Sequence, residues 1–164
     1  MAMESPKPQK EHAFLNRIVG DWVMISSTGH ENYDANDPDQ VFTEKVRSIG
    51  GLWIVGEGSG KMPDGTQMTA VITVGFDPLK DRFVGTWVGS MMSNLWVYDG
   101  WLEADGKTLT LESEGPAFDG SGRTDIYHDV LVLHDDNHRS FSGSVKKPDG
   151  SFETFMTSEF RRKT

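Results

Sequence analysis

The 164-residue sequence contains no cysteine. Without cysteine the chain forms no disulfide, no thiolate zinc site, no iron–sulfur cluster and no cysteine nucleophile, and this composition suits a reducing compartment. The sequence also lacks any apolar run that approaches the roughly 18 residues of a membrane-spanning helix. The polar, proline-containing segment Met1–Lys10 has no apolar stretch of the kind found in signal peptides. We therefore expect a soluble, cytoplasmic protein without a membrane partner.

Basic residues are scarce. The chain has 16 Lys and Arg residues against 25 Asp and Glu residues, which gives a formal net charge of −9. An acidic surface repels phosphate backbones, and nucleic-acid binding normally requires a basic stripe or patch. The basic end of the chain, Arg161–Lys163, is too short to form one. We expect no nucleic-acid partner.

Helical patterns are almost as scarce, because only one segment shows a strong one. The segment Pro8–Val19 places Phe14, Leu15 and Ile18 on one stripe, and Gly20 follows it as a natural C-terminal stop. At about 12 residues the predicted helix is too short to be stable alone. It must therefore pack against the rest of the domain.

From Asp21 onward the sequence consists of short runs rich in Val, Thr, Phe and Trp, separated by turn signals such as Asp105-Gly106 and Asp149-Gly150. This spacing is typical of an all-β sandwich or barrel, and Asp-Gly favours tight hairpins. Because nearly all links are of hairpin length, consecutive strands are expected to lie side by side. The predicted strands lie near residues 21–28, 40–49, 52–61, 66–76, 82–90, 94–104, 107–114, 123–134, 139–147 and 151–162.

These elements predict an all-β fold, an up-and-down antiparallel β-barrel of eight to ten strands with a short N-terminal helix. Closure into a barrel removes the exposed strand edges of an open sheet. A chain of this length fits one domain. We expect residues 1–164 to form a single barrel domain in which residues 1–7 are disordered.

Two motifs at opposite ends of the chain resemble the calycin superfamily of lipocalins and fatty-acid-binding proteins. Gly20-Asp21-Trp22 follows the predicted helix directly, and Arg162 lies at the end of the last predicted strand. In that superfamily the tryptophan closes one end of the barrel and an arginine of the last strand lies across it. The resemblance implies that Trp22 is the structural plug and that Arg162 covers it. A guanidinium can stack on an indole while its N–H groups bind free carbonyls at a helix end.

Further segments are similar to a bacterial family catalogued as domain of unknown function 1579. They are Gly75–Pro78, Thr86–Met91, Gly100 and the closing stretch Asp149–Arg162. The resemblance covers most of the chain. It supports the barrel fold and implies no particular chemistry, since that family has no established activity.

The residues expected to line the barrel interior are aromatic side chains, methionines and a few polar groups. A barrel of eight to ten strands can hold one small ligand, and methionine adapts to irregular contents. The apolar candidates are Trp53, Met68, Phe83, Trp87, Trp96, Tyr98 and Met156. The polar candidates for fixing a ligand are Glu57, Asn94 and His128. Glu57 reaches the lumen if Trp53 and Val55, which share its strand parity, point inward; the alternative is an outward carboxylate near the barrel rim. For His128 the alternative is a surface or hydrogen-bonded structural histidine.

Three functions fit these residues. The first is a protein that binds a small, largely apolar molecule in its lumen, with Glu57, Asn94 or His128 orienting it. The second is an enzyme with acid–base chemistry by His128 and Glu57 in the same lumen. The third is a filled barrel that forms a homodimer, with Trp101 in the interface.

Motifs for cofactors, metals and covalent catalysis are weak. The segment Gly56–Lys61 has the wrong glycine spacing for a phosphate loop, and no Gly-x-Ser-x-Gly elbow is present. His134 and His138 flank a hairpin turn, where convergent metal ligands are uncommon. The last predicted strand has no histidine, which is where haem-binding barrels of the superfamily place theirs. We expect no cofactor, no metal and no catalytic residue assignable from sequence.

Overall fold

The computed structural model describes residues 3–28, 34, 36–62 and 64–163. One helix, α1, precedes ten strands, as predicted. Their bounds are α1 Lys10–Asn16, β1 Gly20–Thr28, β2 Thr43–Ile49, β3 Trp53–Lys61, β4 Gln67–Asp77, β5 Arg82–Gly89, β6 Trp96–Leu102, β7 Thr108–Pro116, β8 Thr124–Asp135, β9 His138–Lys146 and β10 Phe152–Arg162. We predicted that residues 1–7 are disordered. Residues 1 and 2 lie outside the described residues, and residues 3–7 form neither helix nor strand.

The strands form a closed antiparallel barrel in which each strand pairs with its neighbour in sequence. The first and last strands close the cylinder, with Trp22 opposite Arg162 and Thr28 opposite Thr157. The predicted up-and-down barrel is therefore confirmed. The turns at Gly106 and Gly150 have φ angles of 69° and 88°, the left-handed geometry for which glycine was expected there.

The helix is shorter than predicted, seven residues instead of about twelve. It ends at Asn16, with Arg17 as its C-cap. In the segment that follows, Trp22 Nε1 donates to the Ile18 carbonyl at 2.8 Å, and Arg162 Nη1 donates to the Val19 carbonyl at 2.6 Å. Side chains of the barrel thus bind the carbonyls between the helix and β1. Among the described residues, no helix has the length and apolar character needed to cross a membrane.

Side chains alternate between the lumen and the outer face along each strand, as the two-residue period of a strand requires. On β8 the inward positions carry Tyr127, Asp129, Leu131 and Leu133. A β-bulge in β10 between Thr154 and Met156 interrupts the alternation. The bulge has a consequence for the lumen, because adjacent residues 155 and 156 both line it.

The helix covers one end of the barrel and leaves the other end to the loops. Phe14, Leu15 and Ile18 of this region are almost fully buried against the barrel core. Asn16 donates to the Gly51 carbonyl at 3.0 Å, which ties the helix to the β2–β3 turn. We call this the closed end. The opposite end, where the β5–β6 and β7–β8 connections lie, is called the mouth.

Candidate functional site

Trp22 lies at the closed end with none of its surface exposed. The guanidinium of Arg162 stacks over its indole, with Cζ 4.4 Å from the ring centre. Arg162 also donates to three backbone carbonyls, those of Arg17, Val19 and Asp136, at 2.6 to 2.8 Å. A Cβ at Gly20 would overlap Arg162 Nη1, so the close approach requires glycine at that position. The structure thus places both residues in the geometry that the calycin resemblance implied for a barrel plug.

A second arginine, which the sequence interpretation missed, stacks on the inner side of the plug. The Arg139 guanidinium lies 4.7 Å from the Trp22 ring centre and 4.4 Å from that of Phe160. It forms an ion pair with Glu44, and its side chain is 3% exposed. Burial lowers the pKa of Arg139, and the neighbouring Glu44 carboxylate opposes that change. The Nε atom of Arg139 is buried without a hydrogen-bond partner among the described residues.

Above this ion pair the lumen contains an inner chamber of about 130 Å³. Ile18 forms part of its boundary at the closed end, and Arg139 and Glu44 are its charged members. The rest of its wall is almost entirely aliphatic and aromatic. The strand residues on this wall include Val46, Ile54, Ile72, Val74, Leu109, Leu111 and Leu131.

An outer chamber of about 290 Å³ lies on the mouth side and shares Met68, Trp87, Phe141 and Met156 with the inner one. Its aromatic wall consists of Trp87, Trp96, Phe118, Tyr127, Phe141 and Phe155. Its methionines are Met68, Met91, Met92 and Met156. Large parts of Met91, Phe118 and Phe155 are exposed, at 45%, 64% and 44% respectively, which makes the rim of the mouth apolar.

The polar groups of the outer chamber come from neighbouring strands. Tyr98 on β6 donates its hydroxyl to Oδ2 of Asp129 on β8 at 2.5 Å. Burial raises the pKa of Asp129 to about 6, and the hydrogen bond from Tyr98 offsets only part of that effect. Burial also raises the pKa of Tyr98 well above its ordinary value. The Oγ atom of Ser113 on β7 is buried with no hydrogen-bond partner among the described residues.

Four of the predicted lumen residues line the outer chamber: Met68, Trp87, Trp96 and Met156. Tyr98 also points inward and reaches the chamber through Asp129. Phe83 is inward but belongs to the closed-end core, where its ring packs 5.0 Å from that of Phe76. Asn94 lies in the β5–β6 connection and lines neither chamber.

Two residues of β3, Trp53 and Glu57, were expected in the lumen and are found on the outer face. Inward positions of this strand are occupied by Ile54 and by glycines, while the outward residues are exposed or half-buried. Trp53 is 41% exposed and its ring covers Gly75 of the next strand from outside. The glycine at residue 58 explains the choice of face, since a Cβ there would lie 2.6 Å from the Phe42 ring inside the barrel. The prediction was wrong because it took Trp53 and Val55, which share a face with Glu57, as the inward set.

His128 also faces outward, contrary to the expectation. Its ring stacks on Phe152 at 3.8 Å, and its Nε2 lies 2.8 Å from Glu112 Oε2. Trp101 packs edge-on against it at 5.6 Å. The pair proposed for acid–base catalysis, His128 with Glu57, therefore lies outside the lumen. The sequence contains no signal for the correct face, because both faces of β8 carry three apolar or aromatic residues. Only their burial in the structure shows that the set sharing a face with Asp129 points inward.

The histidines of the β8–β9 hairpin have a neighbour that the sequence interpretation did not consider. One candidate ligand atom from each of His134, His138 and Glu159 lies within 4.8 Å of the other two. His138 hydrogen-bonds Glu159, and His134 Nε2 lies 3.1 Å from Ser140 Oγ. The cluster is on the outer surface near the closed end. The sequence predicted that the last strand lies beside β9, but not the register that brings Glu159 close to His138.

The chain is similar to one described protein family and to solved β-barrels of low sequence identity. No curated protein matched the chain with significance. Similar solved structures include a redesigned β-barrel, with 12% identity, a TM-score of 0.45 and coverage of 91% of this chain and 94% of the other. They also include EF1p2_mFAP2b bound to DFHBI, with 10% identity, a TM-score of 0.45 and coverage of 93% and 98%. Residues 7–162 match the family described as protein of unknown function DUF1579. The chain therefore belongs to the DUF1579 family.

Proposed function

We propose that this protein binds a small, largely apolar molecule in the outer chamber of its lumen. The observation that carries the proposal is the apolar cavity of about 290 Å³ behind an apolar mouth. Ligand pockets are typically clefts of about 300 Å³ or more, lined by hydrophobic and aromatic side chains with a few polar groups. The outer chamber is at the small end of that range and has this composition.

The walls of the chamber suit an adaptable binding site. Trp96 and Tyr127 pack edge-to-face at 5.0 Å and present rigid apolar surface. The four methionines are flexible and polarisable, so they can adjust to the shape of a guest. An exposed Phe118 at the rim, 5.8 Å from Phe155, is well placed to contact a molecule as it passes the mouth.

A binding role is favoured over the enzyme considered from sequence, because the acid–base pair of that hypothesis lies on the outer face. The homodimer through Trp101 stays a prediction, as does a cytoplasmic location. Trp101 is partly exposed on the outer face and is already engaged by Arg82, whose Cζ lies 5.1 Å from the ring centre.

The proposal is tested by titrating the protein with a neutral solvatochromic naphthalene dye. We expect saturable binding with a blue-shifted emission. Replacing Met156, which borders both chambers, by tryptophan should fill the lumen and weaken dye binding about tenfold or more.

The matched control is Val97→Trp, which adds the same side chain on the outer face, where Val97 is 59% exposed. This variant should bind the dye as the unmodified protein does. If Met156→Trp, checked for folding by circular dichroism, keeps full affinity, then the dye binds elsewhere and the proposal is wrong.

A further inference from the structure

Resting on the proposed lumenal binding, we propose that the ligand carries a protonated amine, which binds Asp129 and Ser113 while its apolar body fills the outer chamber. Both residues line that chamber on adjacent strands. Leu111 is the residue directly opposite Asp129, so Ser113 is its diagonal neighbour on the same face. Diagonal neighbours across a strand pair have side chains within about 7–8 Å. The two polar groups therefore border the same side of the outer chamber.

The carboxylate of Asp129 has one oxygen available. Oδ2 accepts the hydroxyl hydrogen of Tyr98 at 2.5 Å, and within the described part of the chain no hydrogen bond is made to Oδ1. Tyr98 is 2% exposed and holds the carboxylate in a fixed position. A hydrogen-bond donor on the ligand would complete the site, and a charged donor would gain most, since charge-assisted hydrogen bonds are the stronger ones.

Ser113 gives the second, independent indication of a polar head. The residue is 5% exposed, and its Oγ has no partner among the described residues. A buried hydroxyl without a partner costs stability, so nearly all buried polar groups in folded proteins are hydrogen-bonded. A hydrogen bond to the polar head of the ligand would satisfy Ser113.

The aromatic wall also favours a cation. Trp96 is in edge contact with Tyr127, and Trp87 lies opposite Trp96 in the strand register. Aromatic faces attract ammonium groups, most strongly where water is excluded. A carboxylate head would face the same walls without that attraction.

The charge distribution excludes an anionic head from this chamber. Among the described residues that line it, none is basic. The nearest lumenal cation, Arg139, belongs to the inner chamber and is committed to Glu44 and to two aromatic rings. Burial raises the pKa of Asp129 to about 6, which is still below neutral pH. The carboxylate is therefore ionised at neutral pH and repels a second negative charge.

The test compares phenylbutylamine, phenylbutanol and phenylbutyric acid, which share one apolar body, by isothermal titration calorimetry. At about pH 7.5 we expect the amine to bind about tenfold tighter than the alcohol, and the acid to bind weakest. Asp129→Asn should remove the preference for the amine while keeping the hydrogen bond from Tyr98. Asp99→Asn, the same change on the outer face, should leave the preference intact, since Asp99 is bound by Arg82.

The pH dependence provides a second readout. Amine affinity should rise about tenfold between about pH 5 and about pH 7.5, because the alkylammonium stays protonated while Asp129 ionises. The other titratable groups around Asp129 are Tyr98 on β6, Tyr127 and His128 on its own strand, and Glu112 of β7 on the outer face. His128→Gln should keep the pH dependence, which assigns it to Asp129.

The outcomes separate the two proposals. If the alcohol binds as tightly as the amine, or if the acid binds best, the amine inference is overturned and lumenal binding stands. If none of the three compounds binds and the naphthalene dye does not either, both are overturned. Loss of the amine preference in folded Asp129→Asn, with its retention in Asp99→Asn, supports the inference.

Discussion

The two ends of the barrel lumen are built from similar residue types and differ in how their polar groups are paired. At the closed end, Arg162 donates to three carbonyls and Arg139 forms an ion pair with Glu44, although Nε of Arg139 has no hydrogen-bond partner among the described residues. At the mouth, Ser113 Oγ and the second oxygen of Asp129 have no partner among the described residues. Aromatic rings are fully covered at the closed end and partly exposed at the mouth.

This difference separates a structural end from an end that can accept a ligand. Paired polar groups and covered rings stabilise a fold, whereas unpaired groups beside a cavity cost stability unless something binds them. The comparison predicts that removing a polar or charged group lowers stability at the closed end, and leaves stability unchanged or raises it at the mouth.

Trp22→Ala should have the largest effect, a loss of about 3–5 kcal/mol in the free energy of unfolding. It removes a fully buried indole that contacts both Arg139 and Arg162. Trp53→Ala is the matched control, because Trp53 is 41% exposed on the outer face and should cost much less. Urea titration measures both values. A loss below about 1 kcal/mol for Trp22→Ala would contradict its role as the plug.

Glu44→Gln should cost about 3 kcal/mol, since it leaves the buried guanidinium of Arg139 without its counter-charge. Glu57→Gln on the adjacent strand is the control, because Glu57 is exposed on the outer face and should change stability by less than about 0.5 kcal/mol. Thermal unfolding of both variants at neutral pH provides the comparison. Equal effects would mean that the ion pair does not stabilise the closed end.

Ser113→Ala should leave stability unchanged or raise it by up to about 1 kcal/mol, because it removes a buried hydroxyl that lacks a partner. The control is Ser158→Ala, a serine buried to the same extent whose Oγ lies 2.9 Å from Ser27 Oγ. That change should cost about 1 kcal/mol. Chemical denaturation of both proteins without ligand distinguishes them. A destabilised Ser113→Ala would show that the hydroxyl is structurally satisfied.

The strand pattern was predictable to within about three residues at every boundary, because turn signals such as Asp149-Gly150 determine local backbone geometry. The plug could also be predicted from sequence, since Trp22 and Arg162 lie at the two chain positions that barrel closure brings together. It was harder to predict which face of each strand points into the barrel. On β3 the large residue Trp53 is outside and glycines are inside, which reverses the usual reading of an alternating pattern.

Apart from Arg162, for which the calycin resemblance implied carbonyl partners at the helix end, the partners of polar residues could not be predicted. Glu44 meets Arg139 from ninety-five positions away, and Tyr98 meets Asp129 across an intervening strand. These contacts depend on the register and curvature of the closed sheet. Neither quantity is encoded in a local pattern.

The number of strands, their order and the residue types that plug one end were thus predictable from the amino-acid sequence. They follow from local backbone preferences and from the need to leave no open edge. Which face of β3 and β8 points inward, and with it that Asp129 rather than His128 enters the lumen, was established by the folded barrel. A strand offers two faces of opposite parity, and packing across the closed barrel selects between them.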